Sequence, residues 1–236
     1  MLDEVDSTMS EARRLAPVSP DSTWILARAQ TAAHGRRGRP WSTAPGNFYA
    51  TLLLKVGGDP AEAALRSFSM AIALRQTLAM TCAPEGLQLK WPNDVLLGGG
   101  KVAGILLEAI GTAGSVDWLS IGVGVNLQAA PEPAAVENGA FRPVSVSNSG
   151  TAPSPEDFLF WLASHFADQE RLFGEFGFDP IRRLWMKHAA RLGETITARL
   201  PREDVTGVFE TVDESGYLVL NTAKGLQKIA AADVFF

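Results

Sequence analysis

Short apolar segments alternate with polar turns along the first 125 residues and predict a sheet. Residues 24–30 and 48–55 are rich in β-branched, aromatic and aliphatic side chains, which is typical of strands. Four more strands are predicted at residues 87–91, 95–97, 101–110 and 116–125. The turns between these four are short, so their pairing is expected to be mainly antiparallel.

Helical spacing of apolar residues predicts four helices, three of which carry capping signals. Thr8-Met9-Ser10-Glu11 has the form of a capping box and predicts a helix over about residues 7–16. Asp59-Pro60 and Ser154-Pro155 each place a capping side chain before a proline at the first helical position. The remaining helices are expected over about residues 59–81 and 154–173, and after Asp179-Pro180.

Beyond Gly193 the pattern changes to short alternating segments at residues 195–200, 205–212, 217–221 and 227–236, with a hairpin-type turn at Asp213-Glu214-Ser215-Gly216. A tail of about fifty residues buries too little apolar surface to be stable alone. We therefore expect an α/β (α+β) domain over residues 1–186, with a mainly antiparallel sheet flanked by helices. A small β-barrel over residues 187–236 is expected to dock on it. The arginine-rich stretch 31–47 and the stretch 128–155, with five prolines, are predicted loops.

Composition narrows the class of protein. The 236 residues correspond to about 1.6 average domains, and 46% apolar with 20% charged residues is ordinary globular usage. The formal net charge of −5 gives no reason to expect a nucleic-acid coat protein. Cys82 is the single cysteine, which fits a reducing compartment. The acidic start and the lack of an apolar run of about 20 residues argue against a signal peptide or membrane span, so we expect a cytoplasmic protein.

The densest charge in the chain is in residues 34–41, here called the arginine loop, with the sequence His34-Gly35-Arg36-Arg37-Gly38-Arg39-Pro40-Trp41. Guanidinium groups bind carboxylates and phosphates in a bidentate manner, and glycines let a ligand approach the backbone. Trp41 offers a face on which a base can stack. A solvated basic loop or a nucleic-acid patch is the alternative interpretation. The position between two strands in an acidic chain favours an anionic small molecule.

Three further stretches carry candidate chemistry. Lys90-Trp91-Pro92-Asn93-Asp94 is, taken alone, a turn at a strand end. Gly98-Gly99-Gly100-Lys101 opens a strand, so Lys101 can meet a phosphate while Gly104 admits a ligand to the backbone. This is not a P-loop, because Val102 replaces the required Ser or Thr and no helix follows. Gly122-Val123-Gly124-Val125-Asn126 indicates a close backbone approach or a bulge.

Taken in order, these stretches resemble the biotin protein ligase family. The matching segments are Asp6-Ser7-Thr8, Gln30-Thr31-Ala32, Gly35 to Trp41, Lys90 to Asp94, Lys101 to Leu106, and Gly122 to Asn126. Each is weak alone, whereas six in this order are highly specific. The resemblance implies a class II synthetase-like ligase domain with an SH3-like C-terminal barrel. It also implies ATP-dependent formation of biotinyl-5'-AMP and transfer of biotin to a lysine of a biotin carboxyl carrier protein.

The resemblance also implies roles for particular residues. Lys101, Arg36 and Asp94 are the implied catalytic residues: Lys101 bridges the biotin carboxylate and the α-phosphate, and Asp94 assists the acceptor lysine. The residues implied to bind biotin are Ser7, Thr8, Gln30, Arg36, Lys101, Gly104 and Leu106. Binding of ATP and the adenylate falls to Arg36, Arg39, Trp41, Asn93, Lys101 and Asn126. Biotin, ATP and Mg²⁺ are the implied small molecules, with Mg²⁺ held mainly through the ATP phosphates.

The sequence departs from the family pattern in two places. Ala33-His34 stands where the family usually has Gly-Arg, and Met9 stands where it usually has Asn. The first change bears on closure of the arginine loop, and the second removes one polar contact or cap.

Two rival functions remain at this point. A lipoate protein ligase shares the fold, although the arginine loop and the Trp-Pro-Asn-Asp stretch favour biotin. A biotin-sensing repressor or nucleic-acid-binding module is motivated by the arginines. However, the predicted helix beginning near Thr8 leaves no room before it for the helix-turn-helix of some relatives. We therefore expect the form without a DNA-binding domain, with no DNA or membrane partner and with room for a homodimer.

Overall fold

The computed structural model describes residues 1–112, 114–132, 141–201 and 203–236. The strands of its larger sheet are β1 (Leu2–Val5), β2 (Thr23–Gln30), β3 (Phe48–Lys55), β4 (Leu87–Lys90), β5 (Asp94–Leu97), β6 (Gly100–Ile110) and β7 (Trp118–Val125). They lie in the order β1-β2-β3-β7-β6-β5-β4. β1 is parallel to β2, and every other neighbouring pair is antiparallel. The expected mainly antiparallel sheet is confirmed, and β1 is a strand that the sequence pattern did not predict.

The helices of the described chain are α1 (Thr8–Leu15), α2 (Pro60–Ala64), α3 (Arg66–Leu78), α4 (Pro155–Phe176) and α5 (Phe178–Met186). The single helix predicted for residues 59–81 is therefore two helices that meet at Leu65. There the Leu65 amide donates to the Glu62 carbonyl three residues back, at 3.1 Å, which is the tighter 3₁₀ pattern and interrupts the α-helix. The predicted caps at Asp59 and Ser154 are both confirmed.

The start of α1 corrects the predicted capping box. Ser7 is the capping residue, and its hydroxyl accepts a hydrogen bond from the Met9 amide at 3.2 Å. Thr8 is already helical and its hydroxyl points to Gln30 instead. Glu11 does not complete a box from Thr8, because its carboxylate accepts from Arg14 at 2.7 Å. The cap is thus one residue earlier, which leaves the Thr8 side chain available to the site described below.

A second, smaller sheet holds the C-terminal strands β8 (Thr195–Arg199), β9 (Asp204–Val212), β10 (Leu218–Thr222), β11 (Gly225–Ile229) and β12 (Asp233–Phe235). Their order is β11-β10-β9-β8-β12, and all neighbouring pairs are antiparallel. The segment predicted at residues 227–236 contains parts of two strands rather than one. β11 pairs with β10 and β12 crosses to pair with β8, which brings the last strand to the opposite edge of the sheet.

The two sheets share one apolar core, as expected for a small domain that cannot stand alone. The indole Nε1 of Trp91 donates to the Gly216 carbonyl at 3.0 Å, which joins the larger sheet to the predicted hairpin turn. A side-chain carbon at Gly216 would lie 2.9 Å from Leu65, so this turn rests directly on the junction of α2 and α3. Leu89 and Leu220, one from each sheet, are fully buried members of the same cluster. The C-terminal sheet is therefore packed against the rest of the fold.

The predicted loop at residues 31–47 follows β2, and the predicted loop at residues 128–155 follows β7. Within residues 31–47, all of which are described, the helical structure is one short 3₁₀ turn, Arg36–Gly38. Residues 133–140 of the predicted loop at 128–155, and residue 113 of the predicted turn at 111–115, lie outside the described residues. None of the helices in the described ranges is both long enough and apolar enough to cross a membrane.

Candidate active site

A cavity of about 480 Å³ opens over the face of the larger sheet that carries α1 and the arginine loop. All twelve residues that the sequence singled out line it: Ser7, Thr8, Gln30, Arg36, Arg39, Trp41, Asn93, Asp94, Lys101, Gly104, Leu106 and Asn126. They come from α1, from three strands and from the segments next to strand ends. The structure therefore places every predicted site residue at one location.

A row of cross-strand partners forms the floor of the cavity. Lys90 pairs with Asp94, Asp94 with Gly104, Gly104 with Gly124, and Gly124 with Tyr49, across five adjacent strands. Directly paired residues in antiparallel strands point to the same face of a sheet. The register thus explains why motifs far apart in the sequence meet: charged groups lie on β4 and β5, and two glycines on β6 and β7 leave open space beside them.

Trp41 occupies the space over the two glycines. A side-chain carbon at Gly124 would lie 2.7 Å from the Trp41 ring, and one at Gly104 would lie 3.1 Å from it. The glycines therefore accommodate the indole, where the sequence had suggested that Gly104 admits a ligand to the backbone. Trp41 Nε1 is buried and has no hydrogen-bond partner within the described part of the chain. It is a polar group that a ligand can satisfy.

A buried polar cluster closes one end of the cavity. The Gln30 side-chain oxygen accepts from the Thr8 amide at 2.8 Å and from the Thr8 hydroxyl at 3.2 Å. The Thr51 hydroxyl donates to the Thr8 hydroxyl at 2.8 Å and holds it in place. Because the Gln30 oxygen is the acceptor of a backbone N–H, its NH₂ group remains as a donor for a ligand. Ser7, also buried, lies beside this cluster.

A carboxylate between two ammonium groups lies on the adjacent floor. Asp94 Oδ1 is 2.7 Å from Lys101 Nζ, and Asp94 Oδ2 is 3.4 Å from Lys90 Nζ. Asp94 and Lys90 are both buried. Burial raises the pKa of Asp94, but the two lysines outweigh it and hold the pKa below its usual value. Burial also lowers the pKa of Lys90, only partly offset by Asp94. Asp94 is thus ionised at neutral pH.

Lys101 has a second neighbour that ties the charged floor to the arginine loop. Its ammonium lies 5.4 Å from the centroid of the Trp41 ring, within the range of a cation–π contact. Its side chain remains about 30% exposed, unlike that of Lys90. Lys101 is therefore the lysine of this pair that can reach a ligand in the cavity.

Asn93 and Asn126 are held by the backbone of neighbouring segments. The Asn93 NH₂ group donates to the Ile105 carbonyl at 2.6 Å, and its side-chain oxygen accepts from Arg36 at 3.4 Å. The Asn126 NH₂ group donates to the Val144 carbonyl at 3.1 Å. Both asparagines hold neighbouring segments together, and both line the cavity.

The arginine loop converges on an aspartate that the sequence did not single out. Asp233, the first residue of β12, pairs with Arg37 at 2.7 Å and with Arg39, and Arg36 lies 4.0 Å away. Burial raises the pKa of Asp233, and the arginines, Arg39 foremost, more than offset it. No local pattern marks this residue, because its partners lie nearly 200 positions earlier in the chain. Lys90 is the other charged residue of the site for which the sequence predicted no role, although it lies within the stretch Lys90 to Asp94 that carries candidate chemistry.

The positions that depart from the family pattern also lie at the cavity. His34 Nε2 is 3.5 Å from Glu108 Oε1, and the Ala33 carbonyl accepts from the Trp41 amide at 3.0 Å. Met9 packs over Gly122, where a side-chain carbon would lie 2.7 Å from the Met9 sulphur. Ala33, His34 and Met9 shape the walls of the cavity, and none of them replaces an arginine, lysine or aspartate of the site.

Comparison with known proteins agrees with this geometry. Residues 3–126 match the Biotin/lipoate A/B protein ligase family, and residues 192–236 match the Biotin protein ligase C terminal domain. The chain belongs to the biotin/lipoate A/B protein ligase family. The family predicted from the six motifs is confirmed, and the C-terminal match covers the second sheet.

Relatives of the ligase resemble it over most of their length. It is 50% identical to the biotin--[acetyl-CoA-carboxylase] ligase of Paracoccus denitrificans, over 100% of this chain and 99% of that protein. It is 30% identical to the bifunctional ligase/repressor BirA of Bacillus subtilis, over 98% of this chain and 72% of that protein. The solved biotin protein ligase of Aquifex aeolicus, in complex with biotin and ATP, superposes with a TM-score of 0.80 at 24% identity. That superposition covers 99% of this chain and 96% of the other, and it confirms the fold.

Proposed function

We propose that this ligase activates biotin with ATP to form biotinyl-5'-AMP and pyrophosphate, and then transfers biotin to a lysine of a biotin carboxyl carrier protein. The observation that carries the proposal is the position of Lys101. Its ammonium lies 2.7 Å from Asp94 and 5.4 Å from the centroid of the Trp41 ring, in the cavity that Gln30 and the arginine loop also line. A cation at that place can contact the two anions that must meet in the first step. The 50% identity with a biotin ligase over the full chain supports the same function.

The biotin end of the site is assigned to the polar cluster. Ser7, Thr8 and the Gln30 NH₂ group can hydrogen-bond a ureido ring, which carries both donors and an acceptor. Gly104 and Leu106 lie on the same face of β6, and both line the cavity. Arg36 and Lys101 then receive the carboxylate at the other end of the biotin chain.

The ATP end is assigned to the arginine loop and the two asparagines. Trp41 offers an aromatic face for the adenine, and its unpartnered Nε1 can donate to the nucleotide. Arg36, Arg39 and Lys101 supply positive charge for the phosphates. Asn93 and Asn126 border the same space and are held rigidly by their backbone partners.

The first step brings two anions together. A biotin carboxylate oxygen attacks the α-phosphorus of ATP, the new O–P bond forms, and the bond to the β-phosphate oxygen breaks to release pyrophosphate. Lys101 and Arg36 neutralise the carboxylate and the α-phosphate and so reduce their repulsion as charge develops. The arginine loop shields the resulting mixed anhydride from water.

The second step transfers the acyl group. The acceptor lysine amine attacks the biotinyl carbonyl carbon, an amide bond forms, and AMP leaves with the electrons of the acyl–oxygen bond. Asp94 is assigned to attract and orient the acceptor ammonium and to pass its proton to solvent. Its low pKa suits this role, because a carboxylate that stays ionised attracts the cation without retaining the proton.

Mg²⁺ is proposed to enter with ATP. The two carboxylates at the charged end of the cavity, Asp94 and Asp233, are already paired with lysines and arginines. In addition, no group of three His, Cys, Asp or Glu side chains suited to a metal occurs among the described residues. The ATP phosphates are therefore the main ligands expected for the ion.

The domain boundaries, the cellular location and the assembly are part of the same proposal. The catalytic domain spans residues 1–186 and the SH3-like barrel residues 187–236, since α5 ends at Met186 and β8 begins at Thr195. The cytoplasm is the proposed location, in keeping with the single buried cysteine. DNA is not a proposed partner, because the arginines pair with Asp233 beside the cavity. A homodimer is also proposed, and sedimentation velocity tests it.

The test of the function is a pair of assays on the purified chain. We expect biotin-dependent exchange of pyrophosphate into ATP, and a mass increase of one biotinyl group on a carrier domain. Lipoate in place of biotin is the matched control, since a lipoate ligase shares the family and the fold. Exchange supported by lipoate and not by biotin would reassign the substrate, and salt-sensitive DNA binding would revive the repressor interpretation.

A further inference from the structure

We infer that Asp233, in the C-terminal sheet, is a positioning residue that holds the arginine loop in the shape needed for ATP. The inference rests on the proposed function, because it assigns the loop to phosphate binding. It adds a residue from the second domain to a site otherwise built entirely from the first.

Asp233 lies at different distances from the three arginines of the loop, and this difference suits a positioning role. Its closest partners are Arg37, at 2.7 Å, and Arg39, whereas Arg36 lies 4.0 Å away. Arg37 does not line the cavity, whereas Arg36 and Arg39 do. The closest ion pairs therefore hold the second half of the loop, and Arg36, which is farther from Asp233, keeps donors for a ligand.

Arg36 is oriented by two further contacts. It donates to the carbonyl of Ala232, the neighbour of Asp233, at 3.3 Å and to the Asn93 side-chain oxygen at 3.4 Å. Asp233 itself is paired with Arg199 in β8 through the strand register. Arg36 is thus located by the rigid edge of the C-terminal sheet on one side and by the larger sheet on the other.

The loop needs such an anchor for two physical reasons. Three guanidinium groups within four positions repel one another, and a carboxylate with a side chain only 17% exposed offsets that repulsion more effectively than solvent does. Arg37 also has a left-handed backbone, with φ of 58°, which a residue with a side chain adopts only at a cost in free energy. The ion pair of Arg37 with Asp233 compensates for that cost.

Competition is the alternative role for the same carboxylate. If Asp233 merely occupied the place of a phosphate, its removal would free the arginines and lower the KM for ATP. If it positions the loop, removal disorders the arginines and raises that KM. The two roles therefore predict opposite signs in one measurement.

The first test needs no substrate. Limited digestion with trypsin reports on the Arg36–Arg37 and Arg37–Gly38 bonds. We expect cleavage there to be roughly tenfold faster in Asp233→Ala than in the unaltered chain. Asp233→Glu is expected to restore most of the protection. Asp204→Ala is the matched control, because Asp204 pairs with Arg199 on the exposed face of the same small sheet. Equal cleavage in Asp233→Ala and the unaltered chain would overturn the inference.

The second test uses pyrophosphate exchange. In Asp233→Ala we expect the KM for ATP to rise roughly tenfold, and Asp233→Glu to recover most of the loss. Asp233→Asn keeps the side-chain shape and replaces Asp233→Ala if circular dichroism shows that the latter is unfolded. An unchanged or lower KM for ATP would overturn the inference while leaving the ligase function intact. Absence of exchange in the unaltered chain would instead overturn the function, and the digestion result would then decide the structural role.

Discussion

Lys101 and Lys90 hold the same carboxylate from opposite sides, with Asp94 Oδ1 at 2.7 Å from the Lys101 ammonium and Oδ2 at 3.4 Å from that of Lys90. The two lysines differ in exposure, since Lys90 is buried and Lys101 faces the cavity. Lys101 can therefore turn to the substrate anions while Asp94 keeps a cationic partner. Lys90 therefore has a structural role, and Lys101 is the lysine assigned to the substrates.

Replacing Lys101 by alanine is expected to reduce biotin-dependent pyrophosphate exchange at least ~100-fold. The ammonium is the group placed to stabilise charge on the carboxylate and α-phosphate, and one such contact is worth roughly that factor. Lys55→Ala is the control, because Lys55 is an exposed cation that lies over Trp118 away from the cavity. Undiminished exchange in Lys101→Ala would contradict the role assigned to this lysine.

Replacing Asp94 by alanine is expected to destabilise the fold more than replacing Lys101. Loss of the carboxylate leaves the Lys90 ammonium buried without its partner, which costs about 3–5 kcal/mol. Lys101→Ala leaves the Asp94–Lys90 pair in place, so its cost is expected to be smaller. Urea denaturation of the two variants measures the difference in unfolding free energy, and equal midpoints would refute the distinction drawn between the lysines.

The two glycines of β7 are expected to respond differently to alanine. In Gly124→Ala the new carbon would meet the rigid Trp41 ring at 2.7 Å, so the indole must move and the KM for ATP should rise roughly tenfold. In Gly122→Ala the same carbon would meet the flexible end of Met9, which can adopt another rotamer. Its KM for ATP should stay within about twofold. Steady-state exchange kinetics compare the pair, and identical effects would show that Trp41 is not the constraint.

Stability is expected to fall as the pH drops from about 7.5 to 5.5, in part through His188. Burial, with help from Arg75 and Lys187, lowers the pKa of this imidazole below its usual 6.5. The unfolded chain then binds more protons than the folded chain, so this contribution is complete above about pH 6.5 and is lost as the pH falls through the folded pKa. Urea midpoints at both pH values should differ less in His188→Gln than in the unaltered chain. A larger difference in the variant would reverse the sign assigned here.

The candidate site could be predicted from the sequence because its residues stand at strand ends in compact motifs. Lys90 to Asp94 and Lys101 to Leu106 lie on three successive strands joined by short turns, so antiparallel pairing is expected to bring them side by side. The register that turns Lys90, Asp94 and Gly104 to one face is visible only in the structure. Asp233 could not be predicted, since its relation to the arginine loop arises from the crossing of β12 to the far edge of the small sheet. Contact between residues so far apart in the sequence produces no local pattern of residue spacing from which it could be predicted.

The differences between the predicted and the observed fold have local causes. β1 is a four-residue strand of mixed polarity, Leu2–Val5, that pairs along one side with β2, so no alternating pattern reveals it. Ser7 and Thr8 are both good caps, and the choice of Ser7 is made by Gln30 and Thr51, which take the Thr8 hydroxyl. The break at Leu65 occurs within an apolar spacing that fits one long helix equally well.

The hydrogen bond from the Trp91 indole to the Gly216 carbonyl has a consequence for how the chain can be divided. It lies within a core to which both sheets contribute, so cutting the chain between α5 and β8 would uncover apolar side chains of that shared core. Both pieces would then expose surface that favours aggregation. The chain matches two sequence families, yet the core that their residues share is expected to make the folded molecule unfold as a single unit.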